Sequence, residues 1–240
     1  MITQTDLLLG LITLLTSTFT AIIGMGGGMV LIGILPSFLP PLALIPVHGA
    51  VQLTSNVSRF LFSFQAIRWS LVPAFVIGSI LGILVFGFFV YSVPTQYIPI
   101  GIGSFIIFSV WFSRLSSLLY KLENYYILGF LQSGLGLIVG ATGPLGVTQL
   151  QKDLDDKDEI VVTAALFMSI SHAVKLIVFG YIGFQFTQYI STMAVMIIGA
   201  VLGSFIGTKL RGRMPNQWFN VVLKVFLTGL AVKMILFSII

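Results

Sequence analysis

The chain has no cysteine and very little charge. Of its 240 residues, 8% are Asp, Glu, Lys or Arg and 57% are hydrophobic, and the mean hydropathy is +1.08. A soluble domain carries about 25% charged residues, so this chain cannot cover a water-facing surface and is expected to be an integral membrane protein. The lack of cysteine excludes disulfides and thiolate chemistry. Two histidines, His48 and His172, are too few for a histidine-rich metal cage. No acidic residue falls within an expected crossing, which argues against a cation pump built on intramembrane carboxylates. No basic tract is present. The net charge of +5 comes from residues scattered through short loops, so nucleic acid is not an expected partner. Met1 to Asp6 contain no Lys or Arg, and the first apolar run is therefore expected to belong to the mature protein rather than to a secretory signal. Alternation over about 10 residues, the mark of a membrane β-strand, is also missing. Helices remain, and no motif asks for a cofactor.

What is present is a run of apolar segments broken by glycine at two matching places. Gly24, Met25, Gly26, Gly27 and Gly28 interrupt the run from Leu7 to Leu39, and Gly140, Ala141, Thr142, Gly143 and Pro144 interrupt the run that starts at Tyr125. The expected helices of the first half are Leu7 to Ile23, Met29 to Phe38, Ala43 to Phe64, Leu71 to Tyr91 and Ile98 to Leu119. Those of the second half are Tyr125 to Val139, Pro144 to Gln149, Ile160 to Tyr181, Tyr189 to Leu210 and Trp218 to Ile239. The charged stretch Gln151 to Glu159 reads as a solvated loop with Asp155 or Asp158 capping the next helix. It lacks the spacing and central glycine of a calcium-binding EF-hand loop.

The halves match at a fixed offset. Gly24 and Gly140, Asn56 and His172, and Arg59 and Lys175 are each 116 positions apart, and Gly78 and Gly82 precede Gly199 and Gly203 by 121. The chain therefore reads as two repeats, 1–120 and 121–240. A straight helix from residue 5 to 39 would be about 52 Å long, too long for a bilayer core of about 30 Å, so the first break reads as the tip of a re-entrant hairpin. With hairpins at both breaks, Arg68, Arg114, Lys121, Lys152, Lys157, Lys209, Arg211 and Arg213 fall on one side. The loops at Pro40, Pro94 and Phe184, on the other side, have no Lys or Arg. The basic side is then cytoplasmic, both termini are non-cytoplasmic, and the repeats are inverted, a frequent build for secondary transporters. The expected fold is an all-α polytopic membrane protein, each repeat being a re-entrant or broken helical hairpin plus three transmembrane helices.

His48, Gln52, Ser55, Asn56 and Arg59 share one face of their helix, and Ser169, His172 and Lys175 share one face of the matching helix. In lipid such stripes face a protein interior or a water-filled path. Arg59 and Lys175 either snorkel to the headgroups or belong to a site. Gly26, Gly27, Gly28 and Gly143 stand at the starts of short helices, whose free N–H groups suit an anion. The alternative for these glycines is close helix packing. Packing is the leading reading for the GxxxG pairs at Gly78/Gly82 and Gly199/Gly203, and His48 reads as a hydrogen-bonding member of its stripe or a proton relay. Trp69, Trp111 and Trp218 fall near expected cytoplasmic helix ends, where an interfacial belt would put them. The candidate substrate-binding residues are thus Gly26, Gly27, Gly28, Gln52, Asn56, Arg59, Gly143, His172 and Lys175. The expected partners are a small anion and the lipid bilayer. An intramembrane hydrolase using Ser55 with His48, or Ser169 with His172, lacks both the nucleophile elbow and an acid to orient the histidine. An anion channel would share the positive site.

Several of these residues carry a resemblance. Gly24-x-Gly26-Gly27-Gly28, then Pro46-x-His48-Gly49-x-x-Gln52-Leu53-x-Ser55-Asn56-x-x-Arg59, then Gly140-x-x-Gly143-Pro144 and Ser171-His172-x-x-Lys175 together resemble the TauE/SafE family of permeases. The resemblance covers essentially the whole chain. It implies a multi-pass plasma-membrane transporter, not an enzyme, that moves sulfite, a sulfonate or thiosulfate. The chain departs from the family pattern at Pro36, which comes late after the first glycine run, and at Thr142, where a further glycine is common.

Overall fold

A computed structural model describes residues 2–90, 92–111, 124–211 and 217–239, with side-chain surroundings for all but 217–222 and 239. The described residues are helical and contain no strand. The helices are α1 (Gln4–Ile23), α2 (Gly27–Ile34), α3 (Pro41–Leu61), α4 (Val72–Val90), α5 (Ile98–Trp111), α6 (Tyr125–Val139), α7 (Gly143–Asp153), α8 (Lys157–Tyr181), α9 (Ile190–Leu210) and α10 (Gln217–Ile239). Among the described residues four stretches, Gln4–Ile23, Trp69–Val90, Lys157–Tyr181 and Phe186–Leu210, are long and apolar enough to cross a membrane. The end of the expected helix Ile98 to Leu119, the boundary between residues 120 and 121, the cations Arg114, Lys121 and Arg213, and the Trp218 side chain lie outside the described residues.

The solvent shows in which residues face outward. Leu7, Leu11 and Leu15 of α1, Ile77, Leu81, Leu84 and Phe88 of α4, and Ile198, Leu202 and Phe205 of α9 are exposed. Inside are Ser17, His48, Gln52, Ser55, Asn56, Arg59, Gln132, Ser133, Ser171, His172 and Lys175. A protein in water could not hold this distribution, whereas lipid imposes it. The chain is a multi-pass membrane protein.

Close packing depends on glycine. On α9, a Cβ added to Gly199, Gly203 or Gly207 would overlap the carbonyl oxygens of Gly10, Leu14 and Thr18 in turn. On α4, a Cβ on Gly78 or Gly82 would overlap those of Tyr126 and Phe130. Tyr126 and Phe130 stand 116 positions after Gly10 and Leu14, so the second pair of helices repeats the contacts of the first. At the third level the sizes are exchanged. Gly207 meets Thr18, whereas Phe86 packs on Gly134. Increasing numbers meet increasing numbers in both pairs, so α1 runs parallel to α9 and α6 runs parallel to α4.

Two ion pairs fix which ends coincide. Arg68, before α4, bonds Glu159 at 3.0 Å, and Arg211, after α9, bonds Asp158 at 3.0 Å. The start of α4 and the end of α9 therefore meet the same end of α8. It follows that α1 and α6 run in opposite directions. Leu42, Val93, Thr95 and Ile182 gather around one cavity at the other end, which brings the loops at Pro40, Pro94 and Phe184 together.

The charged stretch differs from its expected form. α7 continues to Asp153 and α8 starts at Lys157, so only Leu154 to Asp156 lie between helices. Asp156, rather than Asp155 or Asp158, is the cap, and its Oδ1 accepts from the N–H groups of Asp158 and Glu159 at 2.7 and 2.9 Å. The helix can begin there because acidic Asp158 and Glu159 then occupy its first turn, against the positive end of the dipole. Asp156→Ala is expected to cost about 1 kcal/mol, read as a drop of roughly 2–4 °C in the melting temperature of the purified protein.

Candidate functional site

Both glycine breaks are turns between a helix and a shorter helix. Gly24 ends α1 at φ 101° with its N–H on Thr20 O at 2.7 Å, and Gly140 ends α6 at φ 78° with its N–H on Gly136 O at 3.1 Å. Positive φ is cheap for glycine and costly for other residues. At Gly26 the first break needs a second such residue, φ 97°, but its counterpart Thr142 sits at φ −111°. Thr142 therefore fits without strain, and its hydroxyl donates to Gln132 O at 2.8 Å. α2 folds back on α1, since a Cβ on Gly27 would overlap Thr16 O and the Thr20 hydroxyl. On the other side α7 packs on α6, where Gly146 meets Gln132. The late proline, Pro36, lies in a 3₁₀ turn that extends α2.

The central helices α3 and α8 pack against each other and carry the polar stripes. Their serines tie them to the hairpins in a repeated pattern. The Ser55 hydroxyl donates to Ser17 at 3.0 Å and lies 3.2 Å from Ser204, while Ser133 lies 2.8 Å from Ser171 and donates to Ser79 at 2.9 Å. Ser17 and Ser133, and Ser55 and Ser171, are again 116 positions apart. Ser55 and Ser171 stand in the sequence motifs, but their partners Ser17, Ser79, Ser133 and Ser204 carry no signal singly, because a lone hydroxyl in a helix usually bonds its own preceding turn. The shared offset of Ser17 and Ser133 was the signal that could have found that pair.

Between the two breaks lies a cavity of about 30 Å³, on the order of one to two water molecules. Gly24, Gly26, Gly28, His48, Gln52, Asn56 and Arg59 line it from the first half, and Gly143, Pro144, Met168 and His172 from the second. Of the expected site residues, Gly26, Gly28, Gln52, Asn56, Arg59, Gly143 and His172 are thus brought together. Gly27 is taken up by packing on α1, and Lys175 stands behind the cavity wall.

Neither cation snorkels, since Arg59 and Lys175 are each 1% exposed. Arg59 donates to Asn56 Oδ1 at 3.0 Å and to the Ser55 hydroxyl at 3.4 Å. Lys175 donates to Gly140 O at 2.7 Å and lies 3.3 Å from His172 Nδ1. Its Cδ approaches to 3.2 Å the point where Gly49 would carry a Cβ. Gly49 precedes Arg59 on α3 by ten residues, about 15 Å of helix. The two cations therefore serve opposite ends of the bundle core: Arg59 lines the cavity, whereas Lys175 reaches it only through His172.

The histidines have assigned roles. An ammonium only donates, so His172 Nδ1 accepts from Lys175 and its proton sits on Nε2. A carbonyl only accepts, so His48 Nε2 donates to Gly28 O at 2.9 Å and leaves Nδ1 bare. The rings pack edge to face, 5.8 Å apart. Three buried atoms on the cavity-lining residues have no partner among the described residues: the donors Arg59 Nε and His172 Nε2, and the acceptor His48 Nδ1. Buried donors without acceptors are costly. Here they surround a space bounded by the N-terminus of α2, whose first N–H groups are free by position.

Among the described residues no group of three or more His, Cys, Asp or Glu could hold a metal ion. A family model described as sulfite exporter TauE/SafE matches residues 9–234. No curated protein and no solved structure matches the chain. The chain belongs to the TauE/SafE family of sulfite exporters, multi-pass membrane proteins of transport.

Proposed function

We propose that this protein is a secondary transporter in the plasma membrane that carries a small sulfur-containing anion (sulfite, a sulfonate or thiosulfate) bound between the two glycine breaks. The observation that carries the reading is the pair of buried, unpartnered donors Arg59 Nε and His172 Nε2 beside a cavity between the breaks. An oxyanion supplies the acceptors they lack. Gly26, Gly28 and Gly143 let its oxygens approach the backbone, while Gln52 and Asn56 offer further polar contacts.

The opposed directions of α1 and α6, and glycine contacts repeated at one offset, support two inverted repeats divided near residue 120. Exchange of the two hairpins between inward-facing and outward-facing arrangements would then expose the same site to each side. A cavity of about 30 Å³ is too small for a sulfonate with an organic tail, so the helices part during the cycle. The pairing of Arg68 with Glu159 and of Arg211 with Asp158, with Lys209 in the last turn of α9, supports a cytoplasmic face there, with both termini on the other face.

Proteoliposomes containing the purified protein should take up sulfite or thiosulfate faster than empty vesicles, with saturation. The reading fails if no anion in a panel that includes sulfonates moves. A channel would instead give unitary conductance in planar bilayers, and the inverted build favours the carrier.

A further inference from the structure

A second cavity, of about 170 Å³, adjoins the first. Ser109 and Val110 of α5 and Leu223, Lys224 and Leu227 of α10 line its outer wall. Its inner wall is Met25, Gly26, Met29 and Pro144, and all four also line the central cavity. The two spaces are thus separated by one layer of residues, and two members of that layer are methionines, whose unbranched side chains change rotamer at low cost.

Lys224 is the cation of this space. Its amine lies 4.0 Å from the centre of the Trp111 ring. The ring is fixed in turn, with Trp111 Nε1 donating to the Thr228 hydroxyl at 2.9 Å and that hydroxyl donating to Lys224 O at 2.8 Å. Neither the ion pair of Arg68 with Glu159 nor that of Arg211 with Asp158 involves Lys224. An ammonium on a membrane helix, held over a ring and with no carboxylate paired to it among the described residues, attracts an anion into the space beside it. The cavity lies toward the end of α5 that carries Trp111 and the start of α10, which follows Arg211, so it belongs to the basic end of the bundle.

We propose that this second cavity is the antechamber through which the anion reaches the central site from the basic face, with Lys224 as its capture residue and Met25 and Met29 as the partition. The inference rests on the anion-transport reading above. The larger space receives the anion before it enters the smaller one, where Arg59 and His172 take over. Lys224 raises the local anion concentration and takes no part in the central site.

The absence of cysteine makes a direct test possible, because Ser109→Cys creates a single thiol in the antechamber. Its rate of modification is measured with an anionic methanethiosulfonate (the ethylsulfonate) and a cationic one (the ethyltrimethylammonium). The anionic-to-cationic rate ratio is expected to fall about tenfold when Lys224→Gln is added, and to be restored by Lys224→Arg. A ratio indifferent to Lys224, or a thiol inert to both reagents, overturns the proposal. In proteoliposomes, Lys224→Gln should raise the KM for sulfite about tenfold with Vmax within twofold, and an unchanged KM also overturns it. If the wild type moves no anion while the labelling ratio still depends on Lys224, the transport reading fails and the anion-attracting cavity stands.

Discussion

Arg59→Gln is expected to abolish most transport. Arg59 is the one cation that lines the central cavity among the described residues, and its Nε–H is unpartnered. A hydrogen bond involving a charged group contributes about 1.5–3 kcal/mol, so its loss weakens anion binding roughly 10- to 100-fold. Glutamine retains a donor but neither the charge nor the planar fork. Arg59→Lys retains the charge and N–H donors but not the planar fork, and should fall between wild type and Arg59→Gln. Initial rates over a range of sulfite or thiosulfate concentrations provide the measurement. Full activity in Arg59→Gln would remove the residue from the site. Lys175→Gln should also lower transport, but by another route. Lys175 holds the Gly140 carbonyl and sets the His172 tautomer, so its loss disturbs the second break and lowers stability together with Vmax. An equal loss of affinity with unchanged stability would instead place Lys175 in direct contact with the anion.

Gly78→Val and Gly203→Val are expected to be the most damaging substitutions for folding. At each position the added carbon overlaps a backbone carbonyl oxygen, of Tyr126 or of Leu14. A backbone oxygen cannot move aside as a flexible side chain can, so the helix pair must separate. The cost is put at about 3 kcal/mol or more, the upper end for overpacking, or roughly 6–12 °C in melting temperature. Gly87→Ala and Gly101→Ala serve as controls. No described residue lies within 4 Å of a Cβ at either position, and alanine favours a helix over glycine by up to about 1 kcal/mol. Both controls should be as stable as the wild type or slightly more so. Equal melting temperatures for Gly78→Val and Gly87→Ala would show that the α4–α6 contact does not support the fold.

Much of this was legible because lipid is a demanding solvent. Tyr125–Val139 has the bounds expected of it, and the other helices differ by a few residues, apart from the end of the helix from Ile98, which lies outside the described residues. An apolar run bounded by glycine or proline in lipid has few alternatives to a helix. The charged stretch after Gln149 was misread because charge near a membrane helix end suggests water. There, local capping by Asp156 and the dipole won, and both helices extended into it. The site was legible in part. Helical spacing put Gln52, Asn56 and Arg59 on one face, and burial of that face followed from their polarity. Spacing along single helices could not show that α3 and α8 cross with Lys175 at the level of Gly49.

The sequence by itself determined the solvent, the helices, the two breaks and the correspondence between halves, because each follows from local composition or from one numerical offset. Only the tertiary structure decided which cation meets the cavity. It also paired the serines across helices, took Gly27 into packing against α1, and put Lys224 beside a second space next to the first. Those outcomes depend on the direction and depth at which two distant helices cross. α3 runs toward the end at which α8 begins, so Arg59 and Lys175 go to opposite ends of the core although the sequence sets them 116 positions apart in matching stripes.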